Sequence, residues 1–353
     1  MKRILYVILL IINLIFAAAL IVSTLAGKVE PSRMVLVSIL SYGYMVFLLA
    51  NMLFAIMWLC LSRWEFLISV AAIVARLSFL PLFFQLGGTS DPQTGEGTLR
   101  LMTFNTHAFA GMDDDTLMRP DSGAILLLKL LDEEQPDVLC MQEYYISPRK
   151  VKMRDSLRSR GYTYNYGIHG KKGWSQCVLF SRCPIVREYD MDRRSKFYVD
   201  VEKDGKVVRI CVVHLHSYRL NEDDFESFER LSHAQTDSTT QRFLKKFEKA
   251  TKQHEKEWKE ELLPLVEKSC LPIIVTGDFN DTPASYIYQQ ARELLNDSYV
   301  EQGRGFGTTY HGLYPAFRID YILHSRDIEA LSYKRVQTPI SDHYPIVADL
   351  KIN

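Results

Sequence analysis

The chain has 353 residues, with 42 Lys plus Arg against 42 Asp plus Glu and 47% apolar residues, averages that conceal two unlike parts. Residues 1–87 are mostly apolar and hold six basic and two acidic side chains, which leaves 36 basic and 40 acidic ones for the remainder. That balance argues against a sequence-independent duplex binder, which needs a basic excess to neutralise phosphates; it does not exclude an enzyme acting on a small phosphate ester. The six cysteines, Cys60, Cys140, Cys177, Cys183, Cys211 and Cys270, form no CxxC pair and no Cys/His spacing that suggests zinc. Cys140 and Cys211 sit inside apolar runs and read as buried free thiols. Whether Cys177 and Cys183 bridge is open at this level.

Residues 4–25 are almost uninterruptedly apolar, follow Lys2 and Arg3, and match the length that crosses a bilayer. A cleaved signal peptide is the competing reading, but two further apolar runs follow, at about 35–61 and 66–84, where a secreted protein would turn polar. Three transmembrane helices are therefore expected, with Arg76 of the third run making an interhelical or interfacial contact. Lys2, Arg3 and Arg63 on the cytoplasmic side, against Lys28 and Arg33 on the other, place the following domain outside the cytoplasm.

Residues 88–98 lie in a Gly-, Pro- and Thr-containing linker, and a domain of residues 99–353 follows the membrane region of residues 1–87. Its first strand covers residues 99–104 and ends at Asn105. An amphipathic helix follows at about 123–134, then a strand at 137–141 that ends at Gln142 and Glu143. Further strands are read at 162–166, 177–180 and 207–213, the last running into His214 and His216. The charged segment 221–268 has apolar residues at helical intervals, Phe225, Phe228, Leu231, Phe243, Phe247, Trp258, Leu262 and Leu265, and reads as helices lying across a sheet with a solvated Lys/Glu face. The run 272–275 is a buried strand, Gly277 lets the chain break before Asp278, and a helix at 284–295 follows. Strands at 321–323 and 346–350 close the domain.

Polar residues thus recur at the ends of apolar strands: Asn105, Glu143, His214, Asp278 with Asn280, Asp320, and Asp342 with His343. If those strands form two packed sheets, their loops converge at one rim. Each has a plainer reading: an Asx turn for Asp278 and Asn280, a turn amide for Asn105, a surface acid for Glu143, a salt bridge with Arg318 for Asp320. His216, two residues after His214, competes with it.

The segments TFN, QE, HL, GDFN, RIDY and SDHYP, in that order over residues 99–352, resemble the endonuclease/exonuclease/phosphatase superfamily of metal-dependent phosphodiesterases, which includes DNase I, apurinic endonucleases, neutral sphingomyelinases and inositol-phosphate 5-phosphatases. The resemblance implies an α/β fold, a DNase I-like four-layer sandwich of two mixed β-sheets flanked by helices, here preceded by transmembrane helices. It implies that Glu143 is the main ligand of a Mg2+ ion, with Mn2+ as the alternative, that Asn105 supports it, and that Asp342 is a further metal or metal-water ligand. Asp278 would orient and deprotonate the attacking water, and Asn280 would contact the reacting phosphate. His343 would meet charge on the phosphate or leaving oxygen, with Asp320 fixing its tautomer, and His214 would contact phosphate. One departure stands out: His107 occupies the place where some apurinic endonucleases carry an acid, which leaves a second metal open. His169, His311 and His324 fit no motif and are expected in surface or loop roles; Arg219, Lys171 and Lys172 could touch phosphate or be solvated.

The expected function is that of an integral-membrane, Mg-dependent phosphoesterase with an extracytoplasmic catalytic domain. It would hydrolyse a phosphodiester or phosphomonoester in a lipid head group, nucleotide or nucleic acid by in-line attack of an Asp-activated water. The alternatives are an extracellular endonuclease or exonuclease, favoured if a basic, aromatic patch at 149–166 lines the cleft, and a catalytically silent membrane-anchored binding domain.

Overall fold

The computed structural model describes residues 2–109, 120–145, 153–167, 174–192, 195–218, 238–312 and 317–353. In chain order the α-helices are α1 (Lys2–Ser23), α2 (Val35–Ser41), α3 (Tyr44–Cys60), α4 (Phe66–Arg76), α5 (Pro120–Glu134), α6 (Met153–Ser159), α7 (Ser238–Glu257), α8 (Leu263–Glu267), α9 (Tyr286–Leu294) and α10 (Ser298–Gln302). The chain forms two compact units. One comprises Met1–Pro81, Ser217–Trp258 and Asp281–Ala291; the other comprises Leu82–His216, Lys259–Asn280 and Arg292–Asn353.

In the first unit the three apolar runs become helices of unequal form. The stretch Arg3–Lys28, α1 and the turn that follows it, contains an 18-residue window with a mean hydropathy of 3.0, long and apolar enough to cross a membrane. The run at 35–61, read as one span, is instead two helices, α2 and α3, that meet at 66°. Gly43 stands at the break, where its low helix propensity weakens continuation. The third apolar helix, Phe66–Leu82, is shorter than the first, and Arg76 closes α4.

Helices α1, α3 and α4 carry polar side chains inward. Buried Asn13 donates to Ser69 Oγ at 2.6 Å and accepts from Trp58 Nε1 at 2.9 Å, and Asn51 Nδ2 donates to Phe16 O at 3.0 Å. Their outer faces expose Ile4, Ile8, Ile11, Ile15, Leu49, Met52, Leu53 and Ile56. On α7, Phe243, Phe247 and Ala250 share one face and pack with Tyr218 and against Ile39 and Tyr42. The apolar stripe of α7 thus meets other helical and loop side chains, while further along the segment Glu261 pairs at 3.1 Å with Lys196 of the strand Lys196–Lys203. Phe225, Phe228 and Leu231 fall outside the described residues.

The second unit is built on β1 (Phe84–Gln85), β2 (Thr98–Asn105), β3 (Val138–Tyr145), β4 (Tyr164–Tyr166), β5 (Trp174–Ser181), β6 (Ile185–Asp192), β7 (Lys196–Lys203), β8 (Lys206–His214), β9 (Ile273–Asp278), β10 (Asn296–Asp297), β11 (Gly305–Phe306), β12 (Asp320–His324), β13 (Ile328–Arg335) and β14 (Ile346–Ile352). Two six-stranded sheets run in the orders β10-β12-β9-β8-β7-β6 and β13-β14-β2-β3-β5-β4, and β1 pairs with β11. Both large sheets are mixed: β2–β3 and β8–β9 are parallel, the other pairings antiparallel.

Alternation along the strands builds two cores. Leu99, Leu101, Val138, Cys140 and Leu179 of one sheet share an interior with Val199, Val201, Val208, Ile210 and Ile322 of the other. The opposite side chains, Met102, Phe104, Leu139, Met141 and Val178, pack with Leu127, Leu130, Leu131 and Leu157 of α5 and α6. The segment read as a linker is tied to this sandwich. Thr89 O accepts from Tyr333 N at 2.9 Å, and Gln93 N donates to Asp349 Oδ2 at 2.7 Å. All six cysteines are free thiols, Cys177 and Cys183 included.

Candidate active site

Register brings the polar strand ends together. Parallel pairing aligns His214 of β8 with Asp278 of β9, and antiparallel pairing aligns Asp278 with Asp320 of β12. In the facing sheet Asn105 of β2 pairs with Gln142 of β3, so Glu143 lies one residue beyond. Ile346 pairs with Thr103, which returns the preceding loop, with Asp342 and His343, to the same rim.

Gly277 is required by this geometry. It has φ +133°, and a Cβ there would stand 2.0 Å from the carbonyl oxygen of Val213, so only glycine lets β9 approach β8 just before the acid. Asn280 adopts φ +51°, a left-handed conformation that asparagine tolerates. Glu143, at φ +48°, also departs from extended geometry, which turns its side chain out of the strand's alternation.

Asp278 is 1% exposed and fully engaged. Its Oδ2 accepts from Asn105 Nδ2 at 2.9 Å and from Asn280 Nδ2 at 3.3 Å, and its Oδ1 accepts from the Asn280 backbone N–H at 2.7 Å. Asn280 Nδ2 also donates to Leu215 O at 3.1 Å, tying the exit of β9 to that of β8. Burial, and behind it the charge of Asp320, push the Asp278 carboxyl up to about 6, while His343, His214 and Asn105 pull the other way.

His343 Nδ1 lies 2.9 Å from Asp320 Oδ2, and its Nε2 lies 3.9 Å from Asp278 Oδ2. Burial alone would lower the imidazole, but Asp320 and then Asp278 outweigh it and carry it up to about 10. Arg318 does not take Asp320; it forms a buried pair with Asp297 at 2.7 Å, between the rings of Tyr299 and Tyr321.

His214 is about nine-tenths buried, with Nε2 3.5 Å from Glu143 Oε1 and 3.8 Å from Asp278 Oδ2. Neither of its ring nitrogens makes a hydrogen bond among the described residues. His216 lies beyond the end of β8 and is half-buried.

Glu143 and Asp342 are the site's more open carboxylates, with side chains 26% and 20% exposed. Asn105 Nδ2 reaches Glu143 Oε1 at 3.5 Å. Two oxygen donors at the solvent side of a polar rim suit a hard divalent cation that keeps part of its water. Asp278, Asp320 and His343 also bring ligand atoms within 4.8 Å of one another. That buried triad is closed by its own Asp320–His343 hydrogen bond, and its imidazole would displace the oxygen ligand a hard cation prefers, so it is better suited to handling a proton.

One residue at the site to which motif reading gave no role is His107. Its Nδ1 lies 3.1 Å from Asp342 Oδ1, in a turn where His107, Ala108 and Phe109 are all left-handed, at φ 43°, 54° and 60°. Donating a hydrogen bond to the Asp342 carboxylate raises the His107 imidazole. Burial pushes Asp342 up, yet that hydrogen bond and the charge of His343 outweigh it and leave the carboxyl at about 2. The signal in the sequence was the departure itself, a histidine where an acid was expected. His311 stacks on Tyr344 at 3.9 Å between ring centres. His324, expected at the surface or in a loop, is instead fully buried in β12 and lies 3.2 Å from Glu301. His169, Lys171, Lys172, Arg219 and the first part of the 149–166 patch lie outside the described residues.

Residues 102–343 match the model of the Endonuclease/Exonuclease/phosphatase family, and residues 5–83 match a Domain of unknown function (DUF8431). No curated protein sequence is a significant match. Among solved structures, the human Nocturnin catalytic domain with bound sulfate anion is 20% identical, over 74% of this chain and 97% of that one, with a TM-score of 0.51. The endonuclease/exonuclease/phosphatase from Beutenbergia cavernae DSM 12333 is 17% identical, over 73% of this chain and 72% of that one, with a TM-score of 0.49. ANGEL2, described as a 2',3'-cyclic phosphatase, is 16% identical, over 72% of this chain and 95% of that one, with a TM-score of 0.48. The likeness to Nocturnin bears on the fold, two mixed sheets flanked by helices. With more than half of its length matched by the family model and the motif residues gathered at one rim, the chain belongs to the Endonuclease/Exonuclease/phosphatase family.

Proposed function

We propose that the protein is a metal-dependent phosphoric ester hydrolase held in a membrane by its N-terminal helices. The observation that carries this reading is the buried pairing of a general base with a charged imidazole: Asp278 fixed by Asn105 and Asn280, and His343 oriented by Asp320 beside it. Because Asp320 takes Nδ1, Nε2 is the nitrogen left to face a substrate. Asp278 orients a water and accepts its proton as the water oxygen bonds to phosphorus in line with the departing ester oxygen. As that P–O bond breaks, His343 gives its Nε2 proton to the leaving oxygen or steadies the charge on the phosphoryl group. Asn280 and His214 contact phosphate oxygens, which supplies partners for the imidazole nitrogens of His214. No covalent enzyme intermediate is needed.

Glu143 and Asp342, with Asn105 in support, are the residues that would hold Mg2+ or Mn2+, and the bound ion would supply Lewis-acid neutralisation of phosphoryl charge. The membrane reading is supported by α1, α3 and α4, which bury Asn13, Asn51 and Ser69 and turn Ile and Leu outward, the distribution expected of helices in lipid. The sparse cations of the first 87 residues favour a catalytic region outside the cytoplasm. A near-neutral catalytic region favours a lipid head group, nucleotide or other small ester over duplex DNA.

The test is hydrolysis of a chromogenic phosphodiester by the full chain. Turnover is expected with Mg2+ or Mn2+, to be lost in EDTA, and to fall about a thousandfold or more in Asp278→Ala. Metal-dependent turnover retained by that variant would remove Asp278 from the mechanism. A reporter after Asn353 that reads out as cytoplasmic would reverse the orientation.

A further inference from the structure

Helix α7 belongs to the same compact unit as the N-terminal helices and carries two opposite faces. Phe243, Phe247, Ala250 and His254, spaced three or four residues apart, are buried, and the first three pack with Tyr218 and against Ile39 and Tyr42. On the other side of the helix Arg242, Lys245, Lys249 and Lys252 follow the same spacing and are exposed. They form one cationic stripe about 15 Å long. The acids of α7, Glu248, Glu255 and Glu257, fall on none of those positions. Glu255 is buried and accepts from the Ser32 backbone N–H at 2.8 Å and from Ser32 Oγ at 3.0 Å. Glu257 is buried too, and Glu248, beside the stripe, binds Lys252 at 2.6 Å.

Like charges three or four positions apart on a helix destabilise it, and the stripe holds three such neighbouring pairs in a row. A face built only for water mixes the two signs instead. The contacts of α7 within its unit point to what offsets the repulsion. Ser32, which binds Glu255, comes four residues after the long apolar stretch Arg3–Lys28. Tyr42, whose ring lies edge-on to Phe247 with 5.2 Å between centres, comes two residues before α3. Helix α7 therefore lies where the chain leaves α1 and turns back into α3, the level at which spanning helices meet lipid head groups. From the stripe and this placement we infer that α7 is an interfacial helix whose Arg242, Lys245, Lys249 and Lys252 bind anionic lipid head groups, while its apolar face is held by the helices of its own unit. The inference rests on the membrane placement proposed above and is independent of the hydrolytic assignment. A lipid surface is favoured over nucleic acid because a head-group layer comes to this level of the unit as soon as α1 spans a bilayer. Part of the segment that reads as a solvated Lys/Glu face thus becomes a contact with lipid.

The full-length protein is reconstituted in phosphatidylcholine vesicles that carry a trace of spin-labelled phosphatidylglycerol or, in a parallel sample, spin-labelled phosphatidylcholine. Electron paramagnetic resonance then reads the fraction of each label immobilised at the protein. Wild type is expected to hold the anionic label about threefold more than the zwitterionic one at about 0.05 M salt, and to lose most of that preference at about 0.5 M. The variant Arg242→Gln/Lys245→Gln/Lys249→Gln/Lys252→Gln, in which glutamine keeps the helix propensity of the exposed positions, should lower the ratio at least about twofold. Lys245→Arg/Lys249→Arg/Lys252→Arg, which conserves the charge, should keep the wild-type ratio. An unchanged ratio in the glutamine variant would overturn the lipid-binding stripe alone. So would stripe-dependent binding of a DNA oligonucleotide by a protein that shows no preference between the two lipids, which would make nucleic acid the partner. A chain extracted from the vesicles by alkaline carbonate would overturn the membrane placement, and the lipid face with it.

Discussion

The two units distribute polarity in opposite ways. In the sandwich, strand alternation sends apolar side chains into two cores and leaves the charged ones for a single rim, where strand register stacks His214, Asp278 and Asp320 side by side. In the helical unit Asn13, Asn51 and Ser69 are inside and isoleucines are outside. Water, and lipid under the membrane placement proposed above, each reward the arrangement that hides the minority chemistry, so the same residue types mean different things in the two places. A buried asparagine ties helices together in one unit and, at Asn105, donates to the carboxylate of Asp278 in the other.

That contrast can be broken most severely at the rim. His343→Gln keeps a polar side chain but removes the titrating imidazole, and kcat should fall by about a hundredfold to a thousandfold. The pH profile gives the sharper reading. With Asp278 at about 6 and His343 at about 10, wild-type activity should rise as pH passes 6, where the base loses its proton, and fall as pH passes 10, where the imidazole loses its own. In His343→Gln the alkaline limb should vanish and the acid limb remain; an alkaline limb that persists would assign it elsewhere.

A smaller effect has the opposite sign. The folded-state pKa of Asp278 lies above the unfolded value, so the native protein binds this proton more tightly, and the ionised carboxylate costs stability that is fully felt above pH 6 and absent below about pH 4. Asp278→Asn should therefore unfold later than wild type at pH 7.5 in EDTA, by on the order of 2 kcal/mol, with the gap closing toward pH 4. A variant less stable than wild type at pH 7.5 would show that the carboxylate is held for structure. The smallest effect belongs to the helices: Asn13→Leu, which removes the bonds to Ser69 and Trp58, should cost about 1 kcal/mol in detergent and leave kcat unchanged. Loss of activity at constant stability would contradict that separation.

Much of the sandwich is legible in the chain because its strands are short, apolar and end on polar motifs. Strands β2, β3, β5, β8, β9, β12 and β14 fall where alternation and turn residues put them. The hairpin of β6 and β7 is harder to read. Phe197, Val199 and Val201 of β7, with Ile185 of β6, mark its inner face among charged residues that sequence treats as loop. Periodicity identified the apolar face of α7 but not its partner, because 3.6-residue spacing says that a face is buried and nothing about what buries it. The break at Tyr42 and Gly43 is hidden by continuous hydropathy. The pairing of His107 with Asp342 is a contact across 235 positions of sequence, which no local pattern encodes.

The buried pair of Arg318 and Asp297 has an effect beyond its own packing. Asp320 must keep its oxygen for an imidazole, yet a permanent cation sits only two positions away on the same stretch of chain. By committing that guanidinium to another acid, between two tyrosine rings, the fold insulates the relay from a competitor built into its own motif. The vulnerability of such wiring lies outside the pocket: a change at Asp297 would touch nothing that reacts, and would still free a neighbouring cation able to short-circuit it.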